Sequence, residues 1–332
     1  MKVSLVIPGR NCAATLRPCL ESVIPMLQSP DSPLTEVLFI DDGSTDETAE
    51  IAKKSPVTYV LGEGKGPGAA RNLGWRRAVN ELVWFIDSDT VAAPDALDHL
   101  VPHMENEEVG GVSGSYDNAV PDSLLACLIH EEIIERHLAM PTEVNFLATF
   151  NVIYRREILA ELDGFDERYL KAQDAEFSFR VMDLGKKLHF DIRSRVAHHH
   201  VTELRKYLRV QRHQGFWRVY LHLEHEGHST GDSYSSLLDH IQPPLAMLCL
   251  ASLPFTMVGL PGAWLIGARL ISIGLFIALF ALQFPLTGKL VKRTKKGRYW
   301  AFAPMSFIRA FARGIGMSLG TCHYFLSKKP TS

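Results

Sequence analysis

The sequence has few cysteines, and none of them is spaced for pairing. The five cysteines stand at positions 12, 19, 127, 249 and 322 and form no Cys-X-X-Cys motif. An odd and scattered set argues against a disulfide framework and favours a reducing compartment. A cleavable signal peptide is not expected either, because the N-terminal apolar run from Val3 to Ile7 ends at Pro8 and Gly9.

Charged residues are almost absent from residues 243–284. Residues 243–284 contain a single charged side chain, Arg269, and Pro261-Gly262 divides them into two apolar stretches. Each stretch approaches the roughly 20 residues that cross a bilayer, so we expect a transmembrane helical hairpin over residues 243–286. A buried hairpin of a soluble domain is the alternative, although soluble core helices seldom stay apolar all round.

Basic residues follow this apolar segment at once, although the net charge of the chain is only −2. The basic residues between positions 289 and 298 are Lys289, Lys292, Arg293, Lys295, Lys296 and Arg298. Short cytoplasmic loops concentrate lysine and arginine. We therefore expect a multi-pass protein of the cell's inner (plasma) membrane with residues 1–240 in the cytoplasm. The basic loop should meet anionic lipid head groups.

The C-terminal region, residues 287–332, comprises this basic loop and a further, third apolar stretch. Arg309 and Arg313 are four residues apart in that stretch, on one face of a predicted helix. An amphipathic helix lying in the membrane interface is favoured over a third span for residues 299–327.

Short apolar strands alternate with helical stretches in the first half of the chain. Predicted strands cover residues 3–8, 36–41, 57–61 and 83–87, and predicted helices cover residues 13–23, 45–53, 69–79 and 94–104. This alternation is typical of an α/β fold with a mainly parallel sheet and helices on both faces. Ligands of such sheets bind beyond the carboxyl ends of the strands.

Four aspartates are predicted to lie at that binding edge. Asp41 and Asp42 follow the second strand, and Asp87 and Asp89 follow the fourth. Carboxylates there could bind Mg²⁺ or Mn²⁺, which prefer oxygen ligands and share them with substrate phosphates. An aspartate of the first pair could accept a hydrogen bond from a nucleobase or ribose. Capping of the following helix is the alternative role for the second pair.

The stretch GEGKGPGAARNLGWRRA, residues 62–78, is rich in glycine and leads into a helix with Arg71 in its first turn. Exposed backbone amides, a helix N-terminus and an arginine can together bind a diphosphate. An ordinary flexible connection is the alternative interpretation.

The stretches VSLVIPGRN, FIDDGSTDET, GKGPGAARNLGWRRA and WFIDSDT occur in this order. Through them, residues 1–220 resemble the family 2 glycosyltransferases, which have the GT-A nucleotide-diphospho-sugar transferase fold. The resemblance implies that Asp41 or Asp42 contacts the nucleotide base and that Asp87 faces the ribose or sugar. The residues it implies for nucleotide-sugar binding are Pro8, Asp41, Asp42, Arg71, Asp87 and Ser88.

The resemblance also implies a divalent metal cofactor, Mn²⁺ or Mg²⁺, with Asp89 as its direct ligand. His198, His199 and His200 follow the strand-like stretch LHFDIRSRVA. Neighbours on a strand point to opposite faces, so one or two of these histidines can converge on a metal. We expect His198 or His200 to complete the metal site, with a structural role as the alternative.

The stretch TFNVIYRREILAELDGFDERYLKAQDAEFSFRVMDLGKKL resembles the acceptor side of the same family. Asn151, Arg155 and Arg156 match an Asn-to-Arg-Arg stretch of the family, whose later Glu-Asp pair is here Gln173-Asp174. The resemblance implies that Asp174 is the catalytic base and places Asn151, Arg155 and Gln173 on the acceptor side. A solvated acidic helix face is the alternative for residues 173–180.

Basic and apolar residues interleave at helical spacing in LRKYLRVQRHQGFWRVYLHL, within the predicted linker of residues 202–240. This stretch resembles the interfacial helices by which membrane-bound members seat their catalytic domain. Processive polysaccharide synthases carry QxxRW here, whereas residues 211–215 read QRHQG, which argues against a polymerase. No nucleic-acid partner is expected, because the adjoining apolar stretches favour membrane contact.

The sequence therefore predicts an inverting, metal-dependent glycosyltransferase of cell-envelope glycan or glycolipid synthesis. It would move a sugar from a nucleotide donor, a UDP-sugar by the resemblance, to a hydroxyl of a lipid or lipid-linked saccharide. A polyprenyl-phosphate sugar synthase is the alternative within the enzyme class. A non-catalytic membrane protein that binds nucleotide sugars is the alternative from another class, and the oligomeric state is left open.

Overall fold

A computed structural model describes residues 1–225, 233–257 and 262–327, which divide into two units. The sheet unit comprises Met1–Asp122 and Arg136–His200 together with Ser233 and Tyr234. The helical unit comprises Ser123–Glu135 and the other described residues beyond His200. This division differs from the predicted domain of residues 1–220, because residues 123–135 and 201–220 make their contacts within the helical unit.

The sheet unit contains one mixed sheet of nine strands among the described residues. The strands are β1 (Val3–Gly9), β2 (Leu34–Asp41), β3 (Thr58–Leu61), β4 (Leu82–Ile86), β5 (Thr90–Ala92), β6 (Val109–Asn118), β7 (Glu143–Val144), β8 (Asn151–Arg155) and β9 (Lys187–His198). Their spatial order is β3-β2-β1-β4-β8-β6-β9-β5, with β7 beside β9. The first four strands are parallel, as predicted, whereas β8 lies antiparallel between β4 and β6.

The helices of the sheet unit are α1 (Ala13–Gln28), α2 (Thr48–Lys53), α3 (Pro67–Arg77), α4 (Ala96–Leu100), α6 (Arg156–Glu161) and α7 (Gln173–Asp183). The helix α5 (Leu124–His137) runs from the helical unit into the sheet unit. The predicted helix over residues 94–104 divides into α4 and a 3₁₀ helix at Val101–Glu105. Pro102 explains the division, because it has no N–H to continue the α-helical hydrogen bonds.

Alternating side chains of β1 show how the sheet is covered on both faces. Leu5 and Ile7 are buried in one core cluster with α1 and α4, whereas Val6 is buried in a second cluster with α3, α6 and α7. Successive side chains of a strand point to opposite faces, so the two clusters lie on opposite faces of the sheet. The α/β fold with helices on both faces is as predicted.

The remaining helices belong to the helical unit and are α8 (Leu204–Glu224), α9 (Leu237–Ser252), α10 (Gly262–Ala281), α11 (Phe284–Thr294) and α12 (Phe302–Ser327). Short 3₁₀ helices lie at Pro254–Thr256 and Gly297–Ala301. The helices α8 and α12 pack very closely. A Cβ atom at Gly316 would lie 1.9 Å from the carbonyl oxygen of Arg212, and one at Gly320 would lie 2.5 Å from that of Phe216. Glycine at both positions therefore sets the distance between the two helices.

The two arginines of α12 face the interior of the helical unit. The Arg309 guanidinium pairs with the carboxylate of Glu132 and donates to the hydroxyl of Tyr207 at 3.2 Å. Arg313 donates to Gln211 Oε1 at 2.7 Å and to Asp239 Oδ1 at 3.0 Å. These side chains were predicted to mark the polar face of an interfacial helix, but their partners are buried side chains of α5, α8 and α9.

One helical stretch among the described residues, Gly262–Thr294, is long and apolar enough to cross a membrane. The first of the two predicted spans has a different structure: α9 has 16 residues, begins at Leu237, carries Asp239 and contains two prolines. Residues 258–261, between the two predicted spans, lie outside the described residues. The predicted two-span hairpin, and with it the multi-pass topology, is therefore not supported.

Candidate active site

The candidate site lies where the parallel strands β1, β2 and β4 end. Gly9, the last residue of β1, is paired with Asp41, the last residue of β2. Asp87 follows Ile86, the last residue of β4. The carboxyl ends of the three strands therefore meet at one edge, as an open α/β sheet requires of a ligand site.

Hydrogen bonds distinguish Asp41 from Asp42. The buried Asp41 carboxylate accepts the Ser44 N–H at 2.8 Å on one oxygen and the Tyr59 hydroxyl at 2.9 Å on the other. Asp42 accepts the Gly66 N–H at 2.9 Å through Oδ2, whereas its buried Oδ1 has no hydrogen-bond partner among the described residues. A buried acceptor left without a donor is costly. Asp42 is thus the aspartate of this pair that has an oxygen to offer a ligand.

Arg71 lies in the first half of α3, which begins at Pro67 after Gly66 (φ +105°). Its buried guanidinium donates from Nη2 to Asp87 Oδ1 at 2.7 Å. The Nε and Nη1 groups are also buried and have no partner among the described residues. Two unpaired donors beside a helix N-terminus can bind the oxygens of a diphosphate.

Asp89 faces the histidines at the end of β9. Its Oδ1 lies 3.5 Å from His198 Nε2, and its carbonyl oxygen accepts the His199 N–H at 3.0 Å. His198 Nδ1 and His200 Nδ1 lie 3.1 Å apart. Burial raises the pKa of Asp89, while the nearby His198 opposes this rise.

Asp89 and the neighbouring histidines provide only part of the coordination that the predicted metal needs. No group of three or more His, Cys, Asp or Glu side chains among residues 1–225, 233–257 and 262–327 could hold a metal by itself. Asp89 and His198 nevertheless present an oxygen and a nitrogen to the same space. Mg²⁺ and Mn²⁺ often take one or two protein ligands and complete their coordination with substrate phosphates. The pair fits such a metal, and His200 is one step further away, beside His198.

Asp174 is the second residue of α7, after Ala172 in the left-handed conformation (φ +64°). Its Oδ1 accepts the Ala175 N–H at 3.0 Å. Burial raises the pKa of Asp174, and the Ala175 N–H and the positive charge of Arg71 oppose the rise. A carboxylate with a raised pKa accepts a proton more readily than an exposed one.

Gln173 packs against the glycine-rich stretch. Its Oε1 is buried without a hydrogen-bond partner among the described residues, and a Cβ atom at Gly68 would lie 2.6 Å from it. The start of α7 and the start of α3 are therefore neighbours, which brings the helix of Asp174 beside the helix of Arg71.

Comparison with known proteins agrees with this arrangement. Residues 4–163 match the glycosyl transferase family 2 model. This stretch belongs to glycosyltransferase family 2. The predicted family is confirmed for these residues.

Two relatives and one solved structure show how far the similarity extends. The chain is 26% identical over 195 residues to the glycosyltransferase AglE of Haloferax volcanii, covering 57% of this chain and 64% of that one. It is 25% identical over 225 residues to the pre-mycofactocin glycosyltransferase of Mycobacterium tuberculosis, covering 62% and 44%. The chain thus spans less than two thirds of these relatives. A mannosyltransferase from Pyrobaculum calidifontis has 17% identity and a TM-score of 0.53, with coverage of 99% of this chain and 88% of that one, and confirms the GT-A fold.

Asn72 joins α3 to the segment of residues 165–167 and was missed by the sequence analysis. Its side-chain NH₂ donates to the Phe165 carbonyl oxygen at 2.8 Å and to Glu167 Oε1 at 3.0 Å. Its Oδ1 accepts the Phe165 N–H at 2.8 Å and the Trp75 indole N–H at 3.1 Å. Asn72 thus fixes the turn at residues 164–167 (GFDE), which leads to Asp174, on the helix that carries Arg71.

Tyr116 is a second residue that the sequence analysis missed. Its ring stacks on Phe150 with centroids 3.4 Å apart and meets the rings of His198 and His200 edge-on at 5.1 and 5.6 Å. Burial, together with the charges of Asp87, Asp89 and Asp174, raises the pKa of Tyr116 well above its usual value. The phenol therefore stays neutral beside the carboxylates of the site.

Asn151 and Arg155 lie inside the sheet unit. Asn151 accepts the Trp84 indole N–H at 2.9 Å and donates to Ser194 Oγ at 3.0 Å. Arg155 donates to the carbonyl oxygens of Val109, Met104 and Asn106 at 2.6–2.9 Å. These contacts favour structural roles for both residues over the predicted acceptor contact.

Proposed function

We propose that this chain is an inverting, metal-dependent glycosyltransferase that moves a sugar from a nucleoside diphosphate sugar to an acceptor hydroxyl. The observation that carries the proposal is the packing of the start of α7 on the start of α3, where a Cβ atom at Gly68 would lie 2.6 Å from Gln173 Oε1. This places the helix of Asp174, a half-buried carboxylate of raised pKa, beside the helix of Arg71, whose Nε and Nη1 have no partner among the described residues. This combination suits a base beside a departing diphosphate.

Donor binding uses polar groups that have no hydrogen-bond partner in the described part of the chain. Asp42 Oδ1 accepts an N–H group from the nucleobase, and Arg71 donates from Nε and Nη1 to oxygens of the diphosphate. Asp87 stays paired with Arg71 and faces the ribose or sugar, with Pro8 and Ser88 beside the donor. A divalent cation held by Asp89 and His198, with His200 behind it, would neutralise charge on the departing diphosphate.

In the transfer step, Asp174 accepts the proton of the acceptor hydroxyl. At the same time, the oxygen of that hydroxyl forms a bond to the anomeric carbon of the donor sugar. The bond between that carbon and the diphosphate oxygen breaks, and its electron pair leaves with the nucleoside diphosphate. Attack opposite the leaving group inverts the anomeric configuration. Arg71 stabilises the negative charge that develops on the leaving group.

The identity of the donor nucleotide is less restricted by the site than the type of reaction. Uridine is our expectation from the family resemblance, and the Pyrobaculum calidifontis mannosyltransferase was solved with GDP-mannose and Mn²⁺. Uracil and guanine both offer an N–H to a carboxylate, so Asp42 accommodates either base. Thermal-shift screening of UDP and GDP with Mn²⁺ separates the two, because a ligand of the native state raises the unfolding temperature.

The acceptor is proposed to be a lipid or lipid-linked saccharide at the cytoplasmic face of a membrane. In α10, Trp264, Leu270 and Ile277 expose 74%, 64% and 63% of their surface. The basic residues 289–298 follow this helix and suit anionic head groups. An apolar helix next to a basic segment supports membrane attachment through residues 262–294.

Metal-stimulated hydrolysis of the donor tests whether the chain is an enzyme. The purified chain should release nucleoside diphosphate from a UDP- or GDP-sugar with Mn²⁺, and the release should fall to background when the metal is chelated. A protein that only binds nucleotide sugars would show a thermal shift but no release. That result would favour the non-catalytic alternative.

A further inference from the structure

Two residues between α8 and α9 belong to the sheet unit, although both helices belong to the helical unit. Ser233 donates from its N–H to Asn145 Oδ1 at 2.5 Å, and the Asn145 N–H donates back to Ser233 Oγ at 3.1 Å. Arg136 donates to the Tyr234 carbonyl oxygen at 3.1 Å, and its guanidinium lies 5.1 Å from the Tyr234 ring centroid. These contacts hold Tyr234 in one place, and the transfer step described above uses none of them.

The Tyr234 ring completes a row of aromatic side chains. It lies 5.7 Å from the ring of His137 and 6.1 Å from that of Phe146. His137 in turn lies parallel to Tyr116 at 6.1 Å, and the Ser115 hydroxyl lies 2.8 Å from His137 Nδ1. We name this row the aromatic wall; its members are Tyr116, His137, Phe146, Phe150 and Tyr234.

One end of the aromatic wall lies at the reaction centre. Tyr116 meets the ring of His198, whose Nε2 is 3.5 Å from Asp89. The wall therefore begins beside the proposed metal-binding aspartate and extends to Tyr234.

The chemistry of the aromatic wall distinguishes two kinds of acceptor. The C–H faces of a sugar ring pack on aromatic rings, and phenol groups can hydrogen-bond to its hydroxyls. The wall contains no lysine or arginine to pair with a phosphate. Arg136, the cation beside Tyr234, is engaged by the Tyr234 ring and carbonyl oxygen.

We propose that the aromatic wall is the acceptor subsite and that it holds a sugar ring, with Tyr234 as its positioning residue. This inference rests on the proposed function and narrows its acceptor to a saccharide. It disfavours the polyprenyl-phosphate sugar synthase. The acceptor hydroxyl is then presented to Asp174 by a ring that packs on Tyr234 and against the partly exposed Tyr116.

The test measures saccharide binding apart from turnover. Methyl pyranosides of glucose, galactose, mannose and N-acetylglucosamine are presented to the full chain with Mn²⁺ and saturating UDP or GDP, and binding is followed by saturation-transfer NMR. At least one pyranoside should bind the wild-type chain. Tyr234→Ala should weaken that binding about tenfold, as expected for loss of an aromatic contact, and Tyr234→Phe should keep most of it. Nucleotide affinity should be unchanged in both variants.

Tyr234→Leu serves as the second truncation, because it keeps apolar volume in case the alanine variant is unstable. The inference is overturned if no pyranoside binds, if the alanine and leucine variants bind as well as wild type, or if farnesyl phosphate binds in a Tyr234-dependent way instead. A wild-type chain that binds neither UDP nor GDP would overturn the proposed function, and this outcome is separate from the saccharide result.

Discussion

Arg71 donates a 2.7 Å hydrogen bond from Nη2 to Asp87 Oδ1 while its Nε and Nη1 groups are buried without partners among the described residues. One side of the guanidinium is therefore fixed by the protein, and the other is available to a ligand. A fork of this shape binds an anion in a defined orientation. The carboxylate of Asp87 thus fixes the orientation of the guanidinium in the proposed donor site.

Replacing Arg71 by lysine should weaken nucleoside diphosphate binding by about tenfold or more, because one ammonium cannot pair with Asp87 and span two phosphate oxygens at once. Titration calorimetry with UDP or GDP and Mn²⁺ measures the effect. Arg76→Lys is the matched control, since Arg76 lies on the same helix and pairs with the exposed Asp163. Equal affinities of the Arg71→Lys variant and the wild type would remove Arg71 from the donor site.

Asp41 and Asp42 should respond differently to the same substitution. Asp42→Asn should lower nucleotide affinity with little change in stability, because its Oδ1 accepts no hydrogen bond from residues 1–225, 233–257 and 262–327. Asp41→Asn should instead lower the free energy of unfolding by about 1–3 kcal/mol, since one of its two accepted hydrogen bonds is lost. Urea denaturation and nucleotide titration of both variants check this. A larger loss of nucleotide affinity in Asp41→Asn would reverse the assignment.

Asn72→Ala should lower the free energy of unfolding by about 1–3 kcal/mol, because the backbone groups of Phe165 lose their partner in the interior. It should also reduce turnover more than donor affinity, since the GFDE turn leads to Asp174. Denaturation and steady-state kinetics on the same preparations separate the two effects. Unchanged stability and turnover would show that the turn is held by other contacts.

The pH dependence of transfer should follow the protonation of Asp174. Burial raises the pKa of Asp174 in the folded chain above the ordinary value of 3.8, so activity should be lost as pH falls through a midpoint above 3.8. Removing the charge in Arg71→Met should move this midpoint to higher pH, because Arg71 opposes the rise. Because burial raises the pKa of Asp174, the folded wild-type chain binds this proton more tightly than the unfolded chain. The free energy of unfolding should therefore fall as pH rises from the unfolded-state pKa of Asp174 to its folded-state pKa.

Turnover at saturating donor, measured at decreasing pH in the wild type and in Arg71→Met, checks the predicted midpoints of activity. If the midpoint of activity loss in Arg71→Met moves to lower pH, a group other than Asp174 controls the pH dependence. Comparing urea denaturation of the wild type and Asp174→Asn across the same pH range checks the stability part, since the asparagine variant should lack this dependence.

The basic residues after α10 should control attachment to anionic membranes. Reversing Lys292, Lys295 and Lys296 to glutamate should reduce retention on vesicles containing phosphatidylglycerol, at about 1 kcal/mol for each charge near the surface. Retention on neutral phosphatidylcholine vesicles should change little. Reversing the exposed Lys2, Arg17 and Lys54 of the sheet unit is the control. Equal losses in the two triple variants would mean that net charge, rather than this segment, decides binding.

The sequence was sufficient for the fold and for the carboxyl-end aspartates, because parallel strands bring residues that follow them to one edge. It could not separate Asp41 from Asp42, since both follow the same strand and differ only in their hydrogen bonds. Asn72 was missed because its partner Phe165 lies 93 residues further along the chain. Arg309 and Arg313 were assigned to the polar face of an interfacial helix, because their partners on α5, α8 and α9 are distant in sequence.

Asp174→Asn tests the central claim most directly, with Asp163→Asn as its surface control. The variant should bind the nucleoside diphosphate and Mn²⁺ with wild-type affinity, while transfer from the nucleotide sugar falls by about 10²-fold or more, the contribution typical of general base catalysis. Asp163→Asn should transfer normally. Wild-type turnover in Asp174→Asn would contradict the account, because the proton of the acceptor hydroxyl would then be taken by another group.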